Sequence, residues 1–494
     1  MNLNEEILLS IESEAKRLGD RYHAYHNALE LQAQRTKKRL RSVPAKQIKL
    51  PAEWQADPRF NPFHVFKNRK AIARAITKKI LSGTYTPCDP YKRFVPKSGG
   101  GFRVISVYQV PDAAVSSHFY RKLLQKNIHR FSGYSYAYRS DRNAHFAIQD
   151  IAVDLAGVAR TFVAEYDFSK FFDSIQHKYL HEQLNKNGFS VSERERDIIS
   201  AFISGAGVGI PQGTSISLFL ANLACWKLDK RLERAGLRFA RYADDTVIWS
   251  SDYDKISRAP GFISEFSEEA GVQINVDKSA GIRVLCPTAM PCEFPSRTSY
   301  IEFLGYSVSS DSIGIKASSI TKIKKHISYL LYQGLIQPLQ GSALRAVEIP
   351  ANDKDRDLVA TLSAIRRYLY GNLSEDFIWR FLAGSSGRLF YKGVMSFYPL
   401  LSDKVQMTRL DGWLVNQVWK AVRLRLKLLH KWGYSRSHSF PFNVARKDFV
   451  ETLRERKVYG RRLYAIPSFV IVYLALRKAV SEGGVQQMLA REEY

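Results

Sequence analysis

The stretch "RYADDTVIWS", from Arg241 to Ser250, places two adjacent aspartates between apolar runs. In a β-strand neighbouring side chains point to opposite faces, so two carboxylates that converge on one point fit a turn better than a strand. The flanking runs "LRFARY" and "TVIWS" are rich in residues that favour strands. The stretch therefore predicts a β-hairpin with Asp244 and Asp245 at its tip. An ordinary surface turn is the alternative, because aspartate is common in turns.

The charge of the chain points to a polyanionic partner. The 494 residues include 74 Lys and Arg against 47 Asp and Glu, a formal net charge of +27. Each basic side chain that neutralises a phosphate releases condensed counterions, so this balance favours nucleic acid, with an anionic membrane surface as the alternative. The length suggests roughly two to four domains, and the hydrophobic fraction of 45% is ordinary for a globular core.

Membrane-spanning and secreted classes are disfavoured. The longest apolar stretch without charge, Leu463 to Leu476, has 14 residues and contains Pro467, whereas a spanning helix needs roughly 20. The first residues, "MNLNEEILLSIESEAKRLGD", are acidic and amphipathic, unlike a secretory signal. Four scattered cysteines do not make a disulfide framework or a zinc ribbon. We expect a cytoplasmic protein with no membrane partner.

Three regions of the chain differ in pattern. Residues 1 to about 42 are typical of a helix, residues 90–310 alternate strand-like and helical runs, and the pattern after about residue 315 is helical. The middle region therefore indicates a mixed α/β fold. Basic residues concentrate at 31–80, with 14 Lys and Arg against 2 Asp and Glu, and at 401–494, with 18 against 8. We expect these two stretches to hold RNA rather than to be merely solvated faces.

A second acidic site precedes the hairpin, in "TFVAEYDFSKFFDSI" at residues 161–175. An alternating strand, Phe162 to Tyr166, ends at Asp167, and the run 168–180 that follows is helical in pattern. If the two strands are neighbours in one sheet, three carboxylates meet and repel one another unless a cation is present. Mg²⁺ prefers such oxygen ligands, and two ions about 3.5–4 Å apart stabilise both reacting oxygens in nucleotidyl transfer. A polymerase or nuclease is the expected class.

A loop rich in small residues lies between the acidic sites, in "GVGIPQGTSISLFLANLA" at residues 207–224. Gly209, Pro211 and Gly213 indicate a tight loop, and the run after them is typical of a helix. Such a loop lets backbone approach a nucleotide closely. A plain turn into a helix is the alternative.

Seven segments in order resemble the motifs of reverse transcriptases. The segments "YDFSKFFDSI", "GIPQGTSISLFLANLA", "RYADDTVIW", "GVQINVDKS" and "IEFLGYSV" resemble the palm motifs. Upstream, "YKRFVPKSGGGFRVISVYQVPDAAVSSHF" and "SYAYRSDRNAHFAIQDI" resemble the fingers motifs of the bacterial, group II intron-like branch. The resemblance covers roughly residues 90–310 closely and the helical region after it more loosely, with "FLGYSV" in the place of the primer grip.

The resemblance implies an α+β right-hand polymerase, with fingers, a palm whose antiparallel sheet carries the hairpin, and a helical thumb. Helical extensions are expected at both ends. The implied boundaries are 1–60 for a basic N-terminal extension, 61–160 for the fingers, 161–310 for the palm, 311–430 for the thumb and 431–494 for a basic C-terminal extension.

The resemblance also implies a catalytic metal centre. Asp167, Asp244 and Asp245 match the metal-binding catalytic aspartates, and the backbone of Phe168 joins them as a ligand. Mg²⁺ is the implied cofactor, and Mn²⁺ can substitute for it. RNA is the implied template, dNTPs the substrates and cDNA the product.

Five further positions are implied to contact the incoming nucleotide. Lys97 and Arg103 match the residues that hold the triphosphate, which suits an ammonium and a forked guanidinium. Gln212 matches the glutamine beside the templating pair, and Phe172 matches the aromatic gate that rejects a ribose 2′-OH. Lys278 matches a lysine proposed to protonate pyrophosphate, with a solvated lysine after a strand as the alternative.

Departures from the motifs narrow the branch. Leu218 stands where mobile relatives usually have proline, His145 is displaced from the Asn-Ala-x-x-His pattern of retrons, and the retron Val-Thr-Gly signature is absent. The chain therefore looks like the unknown-group reverse transcriptases, which are associated with antiphage defence. The resemblance implies a structured noncoding RNA as the template and a homo-oligomeric assembly.

Some members of that group start synthesis on a hydroxyl of their own, and Tyr494 is the candidate primer here because chain ends often move freely. Four other tyrosines of the tail are expected to be core or surface aromatics, namely Tyr434, Tyr459, Tyr464 and Tyr473. Three alternatives to a defence enzyme stay open: a mobile-element reverse transcriptase, an RNA-binding scaffold with a non-polymerising site, and an RNA-dependent RNA polymerase.

Overall fold

The computed structural model describes residues 2–37, 47–97, 100–205, 207–340, 354–371, 373–385, 387, 389, 391–434, 439–458 and 460–488. The chain forms two compact units. The first comprises Met1–Ala28 and Gln47–Ser299, and the second comprises Leu29–Lys46 and Tyr300–Tyr494. The division into five functional parts stays a prediction.

Eleven helices of the described residues begin before residue 300. They are α1 (Leu3–Lys37), α2 (Glu53–Ala56), α3 (Pro62–Leu81), α4 (Val110–Asn127), α5 (Ala144–Leu155), α6 (Phe171–Ser174), α7 (His177–Lys186), α8 (Glu193–Phe202), α9 (Ser215–Arg234), α10 (Tyr253–Ile256) and α11 (Ala259–Ala270). The long α1 agrees with the helix expected over the first 42 residues, and residues 38–46 lie outside the described part.

Nine strands of the first unit form a hairpin, a five-stranded sheet and a short two-stranded ladder. They are β1 (Tyr91–Pro96), β2 (Phe102–Val107), β3 (Thr161–Tyr166), β4 (Phe168–Ser169), β5 (Arg238–Tyr242), β6 (Asp245–Ser250), β7 (Gln273–Ile274), β8 (Gly281–Leu285) and β9 (Arg297–Thr298).

The five-stranded sheet has the order β5-β6-β3-β8-β9. Its first four strands pair antiparallel, and only the edge pair β8 and β9 is parallel. The two central strands, "TFVAEY" and "DTVIWS", carry the β-branched and aromatic side chains that fit a buried pleated surface. The predicted antiparallel sheet with the hairpin on it is therefore present, with one parallel pair at its edge.

Helix α9 lies in the centre of the hydrophobic core. Its apolar side chains include Ile216, Phe219 and Leu223, which are all essentially inaccessible to solvent. A helix that is apolar around most of its circumference must be buried on most sides, and α9 accordingly packs against α4, α7 and α11. The helix expected after the small-residue loop is confirmed.

The run 168–180 departs from the single helix that its pattern predicts. Phe168 and Ser169 form the short strand β4, which pairs antiparallel with Ile274 and Gln273. Lys170 then adopts a left-handed backbone conformation with φ of 50°, and α6 and α7 follow. The prediction of one continuous helix was wrong because strand pairing with a distant segment outcompetes local periodicity.

The second unit contains a small antiparallel sheet followed by helices. The strands are β10 (Ile301–Phe303), β11 (Tyr306–Val308) and β12 (Ile313–Ile315), paired in that order. The helices are α12 (Ala317–Leu331), α13 (Arg356–Tyr370), α14 (Glu375–Leu382), α15 (Lys404–Lys431), α16 (Phe449–Glu455) and α17 (Phe469–Met488).

Helix α15 shows how the helical region is held together. Its buried residues recur every three or four positions, as in Met407, Leu410 and Leu414, which places them on one stripe that faces the core of the unit. The helical pattern expected after about residue 315 is confirmed for the described residues. Among them, no helix is both long and apolar enough to cross a membrane.

Candidate active site

The acidic turn joins β5 to β6. Tyr242 pairs directly with Asp245, so Ala243 and Asp244 form a two-residue turn. Ala243 has φ of 60°, the left-handed conformation that short hairpin turns favour. Asp244 therefore lies in the turn itself, and Asp245 is the first residue of β6. The hairpin predicted from the sequence is present, with one acid at its tip and the other at the adjoining strand end.

The third aspartate meets the turn through the pairing of β3 with β6. Tyr166, the last residue of β3, lies opposite Thr246. Asp167 is one residue further on and so stands across from Asp245, close enough for its carboxyl group to raise the pKa of Asp245. The two strands are neighbours in one sheet, which is the condition under which we expected the acids to meet.

The three carboxyl groups repel one another electrostatically. Desolvation by the surrounding protein raises the pKa of Asp245 to about 6, and the charges of Asp244 and Asp167 add to the rise. The pKa of Asp244 is also raised, mainly by burial and further by Asp167. The positive charge of Lys278 lowers the pKa of both Asp244 and Asp245, and that of Arg103 lowers the pKa of Asp244. The site therefore concentrates more negative charge than its neighbours offset.

A cradle of polar groups holds Asp167. Asn275 donates its side-chain amide to Oδ2 of Asp167 at 2.7 Å, and its backbone N–H donates to the carbonyl oxygen of Asp167 at 2.8 Å. The backbone N–H of Asp167 donates to Ser279 Oγ at 3.2 Å. Lys278 Nζ lies 3.2 Å from the same Oδ2, and its side chain is otherwise exposed. All three partners come from the segment "GVQINVDKS" after α11.

The small-residue loop at 207–213 connects two other parts of the site. The Ile210 N–H donates to the carbonyl of Phe172 at 2.7 Å, and the Gln212 carbonyl accepts from the Ser106 N–H of β2 at 2.7 Å. A Cβ on Gly213 would lie 2.5 Å from the Ser106 carbonyl oxygen, so only glycine fits this close approach. The loop thus fixes Gln212 between β2 and the backbone of α6.

The side chains of Gln212 and Phe172 make contacts with α6. Gln212 Nε2 donates to Asp173 Oδ1 at 3.3 Å. The Phe172 ring is partly buried and packs edge-on against Phe171, with ring centroids 5.7 Å apart. The two residues therefore belong to neighbouring segments that a backbone hydrogen bond joins.

The hairpin β1–β2 carries the two expected triphosphate ligands. Lys97 follows β1 in the hairpin loop, where its N–H donates to the Gly101 carbonyl at 3.0 Å, and Arg103 lies in β2 opposite Val95. Both basic side chains are exposed. The charge of Arg103 reaches far enough to lower the pKa of Asp244.

Residues 95–308 match the family model described as "Reverse transcriptase (RNA-dependent DNA polymerase)". This segment is similar to reverse transcriptases. All ten residues named from the sequence except Tyr494 fall within this matched segment. Among the described residues, the matched segment brings Asp167, Asp244 and Asp245 together.

Two curated proteins resemble parts of the chain. Protein YkfC of Escherichia coli K12 is 26% identical over 191 residues, which are 36% of this chain and 49% of that protein. The retron Ec86 reverse transcriptase of Escherichia coli is 27% identical over 125 residues, 24% of this chain and 35% of that enzyme. The chain thus spans half or less of the length of these relatives.

Solved telomerase structures are similar at low scores. Apo telomerase from Candida tropicalis has a TM-score of 0.37 at 12% identity, covering 94% of this chain and 73% of that one. Telomerase from Candida albicans, in complex with a fragment of telomeric RNA, has a TM-score of 0.35 at 12% identity, covering 80% and 69% of the two chains.

The donor chemistry of the three aspartates fits a divalent cation. Within the described residues, no three Asp, Glu, His or Cys side chains are already arranged as a metal cage. Lys278 and Asn275 both contact the same oxygen of Asp167. The raised pKa values of Asp244 and Asp245 arise mainly from burial and further from the charges of the neighbouring carboxylates, and Mg²⁺ relieves this repulsion. The set of carboxylate oxygens therefore suits the cofactor that the family implies.

The five tyrosines of the tail divide into those that lie outside the described residues and those that are buried. Tyr494, like Tyr459, lies outside the described residues. Tyr434, Tyr464 and Tyr473 are buried, as expected for core aromatics.

Sequence reasoning named Lys278 but missed its neighbours Asn275 and Ser279, which hold Asp167. It also missed His177, whose ring nitrogen lies 2.7 Å from the Gly209 carbonyl and pins the small-residue loop. The sequence offered a signal for Asn275 and Ser279. Both are polar residues that closely follow a strand, and such residues often form hydrogen bonds to a nearby acidic centre. The partner of His177 is a backbone carbonyl 32 residues away, and no side-chain pattern marks such a contact.

Proposed function

We propose that this chain is an RNA-directed DNA polymerase whose catalytic centre consists of Asp167, Asp244 and Asp245. The observation that carries the proposal is the pairing of β3 with β6, which sets Asp167 opposite Asp245 inside the segment that matches the family. With the backbone of Phe168, these carboxylates would hold Mg²⁺ or Mn²⁺. Bound there, the cation supplies positive charge to the attacking and leaving oxygens of nucleotidyl transfer.

The substrate of this centre is a deoxynucleoside triphosphate. Lys97 and Arg103 bind the triphosphate, as a point charge and a planar fork respectively. Support comes from the influence of Arg103 on Asp244, which places a cation within electrostatic reach of the acids. Phe172 excludes the ribose 2′-OH, and Gln212 lies beside the templating pair. Support comes from the loop that contains Gln212, because Ile210 of this loop donates its N–H to the carbonyl of Phe172.

Lys278 protonates the departing pyrophosphate. Its Nζ atom lies 3.2 Å from Asp167 Oδ2, and 68% of its side chain is accessible. An ammonium at the edge of the acid cluster can therefore turn from the carboxylate to a phosphate oxygen without crossing packed protein.

The template is a noncoding RNA that the protein binds and copies into cDNA, in the service of antiphage defence. The net charge of +27 supports a large polyanionic partner. The resemblance to the unknown-group enzymes supports the biological role, homo-oligomerisation and priming from Tyr494. Because the chain matches only part of each curated relative, these assignments rest on motifs and not on the relatives' activities.

The test uses the protein purified with its native RNA and incubated with Mg²⁺ and each labelled dNTP singly. We expect wild-type protein to incorporate label and Asp244→Ala/Asp245→Ala to lose it. Asp254→Asn serves as the matched control, because it removes an exposed carboxylate of the same unit. Equal incorporation by wild type and the double variant, or none by wild type, would overturn the proposal in favour of an RNA-binding scaffold.

Two further comparisons use the same assay. Label that becomes sensitive to protease, and loses that sensitivity in Tyr494→Phe, supports protein priming; protease-insensitive label contradicts it. Phe172→Ala tests the gate, with an expected gain in rNTP over dNTP use of about tenfold or more, since the aromatic wall acts by steric exclusion. Preferential use of rNTPs by wild type would instead identify an RNA-dependent RNA polymerase.

A further inference from the structure

The strand that leads into the acidic turn contains a completely buried arginine. Arg241 has no accessible surface and belongs to β5, two residues before Ala243. Charged side chains are almost never fully buried unless they are paired. Its contacts therefore show what a buried charge does beside the acidic turn.

The guanidinium of Arg241 is paired with a carboxylate of α9. Nε donates to Asp229 Oδ1 and Nη2 donates to Asp229 Oδ2, each at 2.7 Å, which is a bidentate, planar arrangement. Asp229 is also completely buried. Burial lowers the pKa of Arg241, but Asp229, together with smaller contributions from Cys225 and Tyr138, outweighs this effect and raises the pKa above its usual range.

Two polar side chains and the backbone complete the surroundings of the guanidinium. Nη2 also donates to Ser135 Oγ at 2.7 Å, and Nη1 donates to Asn222 Oδ1 at 3.3 Å. The backbone of Arg241 exchanges hydrogen bonds of 2.9 Å with Tyr134 and Tyr136. The arginine thus connects β5, α9 and the segment around Ser135.

One contact of the guanidinium goes to the acidic turn itself. Nη1 donates to the carbonyl oxygen of Ala243 at 2.9 Å. That carbonyl belongs to the peptide group that links Ala243 to Asp244. Because Ala243 already has φ of 60°, a hydrogen bond to its carbonyl also restrains ψ and so sets the direction in which the chain enters Asp244.

We propose that Arg241 is a positioning residue for the catalytic turn: its guanidinium ties the Ala243 carbonyl to Asp229 of α9 and thereby orients Asp244 and Asp245 toward Asp167. The inference rests on the proposed polymerase function for its kinetic consequence. The geometric part, a turn held by a buried arginine, stands without it.

A neighbouring arginine on the same strand provides a matched control. Arg238 Nε donates to Asp154 Oδ2 at 2.6 Å, and its guanidinium lies over the ring of Tyr134. It therefore also forms an ion pair from β5, but it is partly exposed and makes no contact with the turn. Arg238→Lys and Arg241→Lys remove the same planar fork while each keeps the positive charge.

The first measurement is hydrogen–deuterium exchange of peptides that cover residues 238–250, in the full-length protein. We expect faster exchange at Asp244 and Asp245 in Arg241→Lys than in wild type, and wild-type exchange at these residues in Arg238→Lys. Unchanged exchange in Arg241→Lys, or equal acceleration in both variants, would overturn the proposal whether or not the protein polymerises.

The second measurement is single-nucleotide incorporation, reported as separate kcat and KM values for dNTP. A misplaced reacting group lowers rate more than binding, so Arg241→Lys should lose about 10–100-fold in kcat with KM changed less than about threefold. Arg238→Lys should stay within about twofold. A loss confined to KM would contradict a positioning role. An inactive wild type would defeat the proposed function and leave the exchange result to decide this inference.

A third variant covers the case in which Arg241→Lys does not fold. Ser135→Ala removes one acceptor and keeps the pair of Arg241 with Asp229. We expect a folded protein with moderately faster exchange at the turn and a loss of about threefold in kcat, in line with one weakened hydrogen bond. Ser135→Ala with wild-type exchange and wild-type kcat would count against the proposal.

Discussion

Two hairpins of the first unit carry the charges of the site, and they differ sharply in how they are held. In β5–β6 a two-residue turn joins strands whose central residues are buried. In β1–β2 most residues face solvent, and Phe94 and Phe102 are 64% and 62% exposed. The first carries acids and the second carries Lys97 and Arg103.

The difference has a physical reason. Carboxylates that share a cation must keep fixed separations, since both repulsion and coordination change steeply over an ångström. A buried hairpin supplies this rigidity. Basic groups that meet a diffusing triphosphate need reach rather than rigidity, and an exposed arm with few packing contacts supplies that. Variants in the buried hairpin should therefore reduce rate, and variants in the exposed hairpin should reduce substrate binding.

The largest effect is expected for Asp244→Asn in the buried turn. The amide keeps the shape of the side chain but removes the charge, and we expect incorporation to fall by about 10³-fold or more with KM for dNTP little changed. Single-turnover incorporation with the native RNA measures it, with Asp254→Asn as the control. A loss of incorporation rate below tenfold would contradict the proposal that the buried hairpin sets the rate and the exposed hairpin sets substrate binding.

Arg103→Ala in the exposed hairpin should act mainly on KM. Loss of a charge-assisted contact to phosphate is expected to raise KM for dNTP by about 10–100-fold, while Arg103→Lys retains part of the binding. Arg93→Ala is the control on the same hairpin, because Arg93 is already paired with Glu53. An effect on kcat alone would place Arg103 with the rigid acids instead.

Asn275→Ala removes the side-chain amide that holds Asp167 while leaving the carboxylate itself in place. We expect a loss of about tenfold in kcat, the size typical of residues that orient a metal ligand. Replacement by aspartate should be worse than alanine, because it adds a fourth negative charge. Titration of Mn²⁺ by electron paramagnetic resonance provides a second readout. Unchanged Mn²⁺ affinity in Asn275→Ala would show that the hydrogen bond from Asn275 is not required for Asp167 to bind the metal.

The smallest effect concerns stability against pH in the presence of EDTA. The pKa of Asp245 is raised from 3.8 to about 6, so between these values the folded chain binds more protons than the unfolded chain. Wild-type protein therefore loses folding free energy as pH rises through that window and Asp245 ionises. Asp245→Asn has no carboxyl group at this position and does not show this loss. We expect the variant to exceed wild type at pH 7 by about 1 kcal/mol at most, since solvent still reaches the Asp245 side chain on its open side and screens its charge.

Thermal melts at pH 4 and pH 7 measure this difference, with Asp254→Asn as the control for one lost charge. The advantage of Asp245→Asn should shrink toward pH 4. A variant that is less stable than wild type at pH 7 would mean that the acids do not repel one another in the folded chain.

Much of the candidate site could be predicted because its chemistry lies in short segments. The strand that ends at Asp167, the hairpin around Asp244 and the loop before α9 each have a local pattern that the structure reproduces. The continuous helix predicted for residues 168–180 was wrong, since Phe168 and Ser169 pair with residues more than 100 positions away. Local periodicity carries no information about such partners.

The sequence by itself determined which residues bear the charges: the acids beside the turn, the lysine and arginine of the exposed hairpin, and the glycines that allow close backbone approach. Only the tertiary structure decided what holds them. Asn275 reaches Asp167 across 108 positions, and Ser135 reaches Arg241 across 106. Side-chain chemistry is a local property of the chain, whereas the distance between two side chains depends on how every element between them packs.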